Sequence, residues 1–323
     1  MTQQPEPDDN NSGMASRAIK KLERDMGPVL LAALHDSRTS ELMLNADGRV
    51  WHERFGEPMK CIATLRPAQG EAIIRTVASC LSKTVHASLP YVEGELPIDG
   101  SRFAGQLPPI VTAPTFAIRK KAIAIFTLEQ YLEAGIMTRH HYEVIKQAVK
   151  DHRNILVSGG TSSGKTTLVN SIINEMVKCN PHERICIIED TGEIQCSAEN
   201  AVQYHSTVDV PMTILLKLIL RMRPDRILVG EVRGAEALDL LDSWNTGHEG
   251  GAATLHANDS QAAIKRLASL VSRNESAPAE IGPLIGEAVH VIVHIAKTPE
   301  GRRVQEITSI SGYVDGKYVT TTL

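Results

Sequence analysis

The chain has 323 residues, of which 42% are hydrophobic, and 34 Lys and Arg against 38 Asp and Glu give a formal net charge of −4. This length suggests about two domains of roughly 100–200 residues, and the near balance of charge argues against a protein that coats nucleic acid, which usually carries a basic excess. The five cysteines show no C-x-x-C spacing and are odd in number, which disfavours a zinc site or a disulfide framework and favours a reducing cytoplasm.

The N-terminal residues 1–13 are polar and acidic, which predicts a disordered tail and not a signal peptide. No apolar run reaches the roughly 18–20 residues needed to span a bilayer. Attachment to a membrane would therefore have to go through partner proteins. Two basic runs, Arg119–Lys121 and Arg302–Arg303, are candidate nucleic-acid contacts, but a solvated charged face is the simpler interpretation of both.

Residues 14–137 mix helical and strand patterns and predict a small α+β domain. A polar amphipathic helix over residues 138–153 is predicted to connect this domain to a second one. The predicted elements of the first domain are a helix over residues 14–34, a hairpin turning at Asn45–Gly48, an amphipathic helix over residues 68–82, and two strands within residues 101–121 that are joined by a proline-rich turn.

From residue 154 to residue 323 the pattern changes to short apolar strands that alternate with helices of about 10–15 residues. This alternation is typical of a parallel sheet covered by helices on both faces. The segment from His290 onward predicts antiparallel strands instead, with turns at residues 299–301 and 315–316.

A glycine-rich segment comes after the first of these strands and fits G-x-x-x-x-G-K-[ST] at every position. Small residues let backbone N–H groups surround phosphates, and the N-terminus of the next helix adds its positive end. We therefore predict a nucleotide site in which the Lys165 amine contacts the β- and γ-phosphates and the Thr166 hydroxyl ligates Mg²⁺. The predicted nucleotide contacts in this loop are Gly159, Gly160, Thr161, Ser162, Ser163, Gly164, Lys165, Thr166 and Thr167.

Two acidic segments come after the loop, whereas the N-K-x-D pattern of a GTPase and the lid of a small-molecule kinase are not found. In "IIEDTGEI" a strand ends with the carboxylates of Glu189, Asp190 and Glu193. They could hold Mg²⁺ through water or polarise the attacking water, and an ordinary acidic loop is an equal interpretation. In "RILVGEVRG", Gly230 takes the place of the Asp that usually ends the second nucleotide motif, and Glu231 is the next residue. Either Glu193 or Glu231 could be the general base.

Basic residues and histidines lie close to these motifs along the chain. Arg221 and Arg223 precede the strand that ends near Glu231, and either could neutralise charge on the γ-phosphate or pair with an acidic residue. His248 and His256 bracket a predicted strand, and His256 ends it on the edge where ligands bind in parallel sheets. A metal pair of the two histidines stays open, although no third ligand is suitably spaced.

The order of these motifs resembles that of the secretion-superfamily ATPases, the hexameric motors of type II and type IV secretion, conjugation and type IV pili. The phosphate loop, an Asp box ("RICIIEDTGEI"), the glycine–glutamate motif and a His box ("TGHEGGAATLHAN") match in order over Asn154 to about Leu270. The short N-terminal domain and the lack of a four-cysteine zinc element are similar to the conjugation and type IV secretion branch. Ser162 stands where relatives often have glycine.

The resemblance implies an α/β fold, a RecA-like P-loop ATPase domain over residues 154–323 preceded by a smaller α+β N-terminal domain. It also implies a homo-hexamer that binds ATP and Mg²⁺, with Arg102 and Arg119 reaching the nucleotide when the N-terminal domain closes. The residues expected to act in catalysis are Glu231, Glu193, Arg223 and His256, with Thr166 and, through water, Glu231 at the metal.

We accordingly expect a cytoplasmic ATPase of a conjugative DNA-transfer or type IV secretion apparatus. It would lie at the inner membrane through other ATPases and membrane components of that apparatus, with no transmembrane segment and no sequence-specific DNA binding. The main alternative is a motor for assembly or retraction of a type IV pilus. A nucleotide-gated scaffold is disfavoured by the strand-end carboxylates and arginines, and a DNA-translocating helicase by the near-neutral charge.

Overall fold

The computed structural model describes residues 9–54, 57–120 and 126–323, with side chains from residue 16 onward. The chain divides into two compact units, Met1–Ile123 and Ala124–Leu323.

The first unit contains a six-stranded antiparallel sheet in the order β3-β2-β1-β6-β5-β4. Phe103, Phe116 and Ile118 alternate along two of its strands and join a core that both helices of the unit cover. The elements are α1 (Asp9–His35), β1 (Thr39–Leu44), β2 (Arg49–Arg54), β3 (Lys60–Thr64), α2 (Pro67–Cys80), β4 (Tyr91–Glu95), β5 (Arg102–Gln106) and β6 (Thr115–Arg119).

The hairpin at Asn45–Gly48, the amphipathic helix α2 and the strand pair β5–β6 confirm the sequence predictions for this unit. Helix α1 bends at Gly27, whose φ of 74° is not helical, just before Pro28. The predicted disordered tail lies outside the described residues from residue 1 to residue 8, and from Asp9 onward the chain belongs to α1.

The second unit contains an eight-stranded sheet in the order β14-β13-β12-β7-β11-β10-β8-β9. Its strands run parallel from β12 to β9, whereas β13 and β14 add an antiparallel edge. The elements are α3 (Leu128–Glu133), α4 (Arg139–Lys150), β7 (Ile155–Gly159), α5 (Lys165–Cys179), β8 (Ile185–Glu189), β9 (Ala201–His205), α6 (Met212–Ile219), β10 (Arg226–Val229), α7 (Glu236–Asn245), β11 (Ala252–His256), α8 (Ser260–Val271), α9 (Ile281–Ala288), β12 (Val291–Thr298), β13 (Gly301–Val314) and β14 (Lys317–Thr322).

Helices cover both faces of this sheet, as predicted. In β7 the side chain of Leu156 packs in the core formed with α6, α7, α8 and α9, whereas Ile155 and Val157 pack in the core formed with α3, α4 and α5. Side chains that alternate between two apolar layers explain why the central strands are continuous apolar runs. The prediction for the C-terminal segment was right for β13 and β14, but β12 also pairs in parallel with β7.

The observed division of the chain differs from the predicted boundaries at residues 137 and 153. Leu128 and Tyr131 of α3 and Tyr142 and Ile145 of α4 lie in one core with Ile172 of α5. The amphipathic helix that was expected to connect the domains therefore buries its apolar side within the second unit, because α5 offers it an apolar partner.

Among the residues that the structure describes, we find no helix with the length and apolar character required to cross a membrane.

Candidate nucleotide site

The phosphate loop joins the end of β7 to the start of α5. Lys165 is only 7% exposed, and its Nζ donates hydrogen bonds to the backbone oxygens of Gly159 (3.0 Å) and Gly160 (2.8 Å). The backbone of the loop thus surrounds the ammonium group of Lys165. The Ser163 hydroxyl is buried in the loop without a hydrogen-bond partner in the described part of the chain, so the site offers a phosphate an unused polar group as well as a cation.

Two residues of the loop have left-handed backbone conformations. Gly164 has a φ of 96°, and Ser162 has a φ of 57°. The left-handed region brings the Cβ of any residue other than glycine close to backbone atoms. This conformation explains why glycine suits position 162, the one position at which the loop departs from the resemblance.

Replacement of Ser162 by glycine is expected to raise the free energy of unfolding of the second unit by about 0.5–1 kcal/mol. Glycine enters the left-handed region without the cost of about 1–2 kcal/mol that a Cβ imposes, and part of this gain is lost to the greater freedom of glycine in the unfolded chain. Urea unfolding measures the change. Ser197→Gly is the control, because Ser197 is exposed and has an ordinary φ, and an unfolding free energy no higher for Ser162→Gly than for the wild type would contradict the interpretation.

The glycine at position 230 is explained by a close approach of β8. A Cβ on Gly230 would lie 2.8 Å from the Cβ of Glu189, so no side chain fits where the second nucleotide motif usually has Asp. The Glu189 carboxylate is buried and accepts hydrogen bonds from the backbone N–H groups of Glu193 (2.8 Å) and Ile194 (3.0 Å). Glu189 therefore shapes the loop that carries Glu193.

That loop brings Glu193 to the phosphate loop. The hydroxyl of Thr166 donates to Glu193 Oε2 at 3.3 Å, and Asn170 Nδ2 donates to the backbone oxygen of Glu193 at 3.2 Å. The carboxylate and the hydroxyl together form an oxygen pair of the kind that binds Mg²⁺ directly or through water. The residues present therefore fit the metal that the sequence predicted.

A chain of polar contacts leads away from the phosphate loop. Lys165 Nζ lies 3.3 Å from His256 Nδ1, and His256 Nε2 lies 3.2 Å from Glu231 Oε1. Because the ammonium group can only donate, His256 Nδ1 accepts and its Nε2–H faces the carboxylate. Arg233 then donates to Glu231 Oε2 at 2.7 Å and pairs with Asp190.

These neighbours keep Glu231 ionised. Burial acts to raise the pKa of the Glu231 carboxyl, but the hydrogen bond from Arg233 and the charges of Arg233 and Lys165 lower it below its usual value. The hydrogen bond to Glu231 in turn raises the pKa of Arg233. A carboxylate that stays charged in a half-buried position can accept a proton from water or hold a metal-bound water.

Two predicted contributors lie away from this cluster. Arg223 precedes the amino end of β10, whereas Glu231 comes after its carboxyl end, so a strand of about 13 Å separates them. Within one chain Arg223 therefore lies far from Glu231. His248 precedes the amino end of β11, whereas His256 is the last residue of that strand. The separation excludes the metal pair, since two ligands of one metal must both lie within about 2–2.5 Å of it.

The two arginines expected at the nucleotide belong to the first unit. Arg102 and Arg119 are directly opposite each other in the antiparallel pair β5–β6, so their side chains lie on the same face of the sheet. Arg119 Nε is 3.9 Å from Glu41 Oε1. Burial raises the pKa of Glu41, and Arg119 opposes that rise.

Sequence reasoning missed one residue of this cluster, Arg233, and assigned a different role to Glu189. Arg233 connects Glu231 with Asp190, and it could have been noticed as a charge inside the second motif. Glu189 was a candidate contact for Mg²⁺ or water, but its carboxylate is buried and accepts the backbone N–H groups of Glu193 and Ile194. A carboxylate at a strand end gives no specific signal for this role, because it is equally consistent with a solvent-exposed loop.

A parallel sheet with a phosphate loop after a central strand, and carboxylates beyond the ends of neighbouring strands, defines a P-loop ATPase fold. The family model of the type II/IV secretion system proteins matches residues 23–309, and the chain belongs to that family.

Named relatives place it more closely within the family. The chain is 45% identical over 304 residues to the conjugal transfer protein TrbB of Rhizobium radiobacter, and these residues cover 94% of each chain. It is 44% identical over 302 residues to a probable conjugal transfer protein TrbB of Sinorhizobium fredii, with 94% of this chain and 92% of the relative covered. A crystal structure of the pilus retraction motor PilT with bound ADP shares the fold, with a TM-score of 0.61 and 19% identity over 91% of this chain and 80% of that one.

Proposed function

We propose that this chain hydrolyses ATP as the motor of a conjugative DNA-transfer or type IV secretion apparatus, acting as a homo-hexamer. The observation that carries the proposal is the continuous chain of contacts from Lys165 through His256 to Glu231, which joins a phosphate-binding cation to an ionised carboxylate. The high identity to conjugal transfer relatives along nearly the whole chain supports the choice of apparatus.

Each residue of the cluster has a role in this proposal. Lys165 and the backbone N–H groups of the loop bind the phosphates. Glu231 accepts the proton of the attacking water, and His256 holds Glu231 in place through its Nε2–H. Thr166 and Glu193, with Glu231 through water, would hold Mg²⁺, whose charge would balance that of the phosphate oxygens.

Arg102 and Arg119 are proposed as further phosphate contacts from the first unit. The register of β5 and β6 places the two arginines directly opposite each other, so their side chains lie on one face of the sheet and can contact the same polyanion. This is the support that the first unit itself gives to a role in nucleotide binding.

A motor for a type IV pilus remains the alternative function. The likeness to the pilus retraction motor concerns the fold alone at 19% identity, whereas the conjugal transfer relatives are 44–45% identical. In cells that lack this chain, loss of DNA transfer with normal surface motility supports the proposal. Normal DNA transfer with loss of surface motility supports a pilus motor.

The chain is proposed to act in the cytoplasm, at the inner membrane through partner proteins.

Replacement of Glu231 by glutamine is expected to lower kcat for ATP hydrolysis by about 10²-fold while leaving ATP binding within about threefold of the wild type. The amide keeps the shape of the side chain but cannot accept the proton, and a general base contributes at least about 10²-fold. Steady-state phosphate release with ATP and Mg²⁺ measures kcat.

Glu275→Gln is the matched control, because Glu275 is exposed in the turn after α8, and this variant should hydrolyse ATP at the wild-type rate. A Glu231→Gln chain that turns over normally rules out Glu231 as the base and leaves Glu193 as the candidate. A wild-type chain that releases no phosphate, alone or with partner proteins or lipid, overturns the proposal of a hydrolytic motor.

A further inference from the structure

The hairpin formed by β12 and β13 lies beside the phosphate loop. Strand β12 pairs in parallel with β7, the strand that leads into the loop, and Arg302 comes just after the turn of the hairpin. Arg302 Nε donates a hydrogen bond to the backbone oxygen of Ser162 at 3.3 Å. A Cβ on Gly164 would lie 3.0 Å from Arg302 Cδ, so the arginine side chain runs along the loop between these two left-handed residues.

The contact with Ser162 fixes the direction of a peptide group. In a planar trans peptide the C=O and the N–H of the next residue point in opposite directions. Because Arg302 binds the oxygen of Ser162, the N–H of Ser163 points away from the hairpin. It faces the inside of the loop, where it donates to the oxygen of Gly160 at 3.4 Å, beside the Lys165 amine that donates to the same oxygen at 2.8 Å.

The inside of the loop is the side on which a phosphate would be bound by N–H groups and by Lys165. The left-handed conformations of Ser162 and Gly164 turn successive N–H groups toward one side, as in the anion-binding nests of other proteins. Serine enters this conformation at a cost that glycine does not incur. A charged donor on the outer oxygen is one means of offsetting that cost.

We propose that Arg302 is a positioning residue of the phosphate loop, which holds the Ser162–Ser163 peptide so that its N–H faces the phosphates of a nucleotide. The inference rests on the proposed ATP site and adds to it a residue that lies outside the phosphate loop, the Asp box and the His box. It also gives the two arginines of the basic run different roles. The guanidinium of Arg303 donates to the backbone oxygen of Arg302 at 3.0 Å, a contact within the hairpin itself.

The test compares ATP affinity in single variants, with a fluorescent ATP analogue as the probe and phosphate release for KM and kcat. Arg302→Ala is expected to weaken binding by about tenfold and to raise KM by a similar factor, with kcat within about threefold, as for the loss of one hydrogen bond from a charged donor. Arg302→Lys keeps the charge but not the planar guanidinium group, so its ATP affinity should lie between those of the wild type and Arg302→Ala. Arg303→Ala removes the same charge from the same hairpin and should bind normally.

A second measurement separates positioning from a direct electrostatic effect. Glycine at position 162 adopts the left-handed conformation unaided, so Arg302→Ala should weaken binding by less than about threefold in a Ser162→Gly background. An equal loss in both backgrounds would mean that Arg302 acts on the nucleotide directly and would overturn the positioning role. So would normal binding by Arg302→Ala.

The outcomes also distinguish this inference from the proposed function. If the wild-type chain binds and hydrolyses ATP while Arg302→Ala does so equally well, only the role of Arg302 fails. If the wild-type chain does not bind the analogue, the ATP site itself fails and the role of Arg302 with it. Circular dichroism checks that each variant is folded. If the alanine variant does not fold, Arg302→Met takes its place, because methionine keeps an unbranched side chain but has no hydrogen-bond donor.

Discussion

ATP hydrolysis is expected to fall by about 10³-fold when Lys165 is replaced by alanine. The amine contacts both the backbone of the phosphate loop and His256, and removing a single preorganised donor from a charged transition state typically lowers the rate by about 10²–10³-fold. Lys165→Ala also removes the cation that would bind the β- and γ-phosphates. Phosphate release under saturating ATP and Mg²⁺ measures the loss.

The control for this variant is Lys178→Ala, which removes the same charge from the other end of α5. Lys178 is about half exposed and pairs with Glu129 at 3.4 Å, a surface contact of at most about 1 kcal/mol. That variant should hydrolyse ATP normally. The assignment of the phosphate site fails if Lys165→Ala, folded by circular dichroism, keeps more than a tenth of the wild-type rate.

Replacement of Arg226 by methionine is expected to lower the free energy of unfolding of the second unit by about 3–5 kcal/mol. Arg226 is fully buried at the start of β10, where it pairs with Glu183 and donates to the backbone oxygen of Gly250 at 2.9 Å. Methionine fills a similar volume but leaves the Glu183 carboxylate without its buried partner, which is the costly way to break an ion pair.

Urea unfolding can be followed in this unit alone. The chain has two tryptophans; Trp51 lies in the first unit, and Trp244 is buried in the second. In a Trp51→Phe background the fluorescence of Trp244 reports only the second unit. Arg221→Met, an exposed position before the same strand, should change its unfolding free energy by no more than about 0.5 kcal/mol.

A double variant separates loss of the pair from loss of packing. Removing both charges, as Arg226→Met with Glu183→Leu, leaves no uncompensated carboxylate and should be less destabilising than Arg226→Met alone. Two results would show that the ion pair does not stabilise this part of the sheet. One is a loss of less than about 1 kcal/mol of unfolding free energy in Arg226→Met. The other is a loss in the double variant that equals the sum of the losses in the two single variants.

Local patterns were sufficient to predict the central strands and the loop. β7, β8, β10 and β11 are buried along nearly their whole length and consist mainly of apolar residues. The phosphate loop carries its own pattern of glycines and lysine. The strands that escaped prediction, β3, β4 and β9, each end a sheet and are largely exposed. An edge strand buries too little apolar surface to leave an alternating pattern.

The parts of the site that depend on sheet order could not be predicted from the sequence. Arg302 and Ser162 are 140 residues apart in the chain, and they meet only because β12 pairs with β7. Likewise, Arg223 is close to Glu231 in sequence, yet β10 lies between them. Spacing along a chain indicates which residues share a motif, but the direction of a strand decides which end of the sheet each residue reaches.

The pairing of β7 with β12 also sets the order in which the site is completed during synthesis. The ribosome makes the glycines and lysine of the loop in the middle of the chain. Strand β12, which pairs with β7, and Arg302 after it come more than a hundred residues later. A nascent chain that ends before Val291 has the whole phosphate motif but lacks these neighbours. The nucleotide pocket is therefore among the last parts of the second unit to acquire its native surroundings.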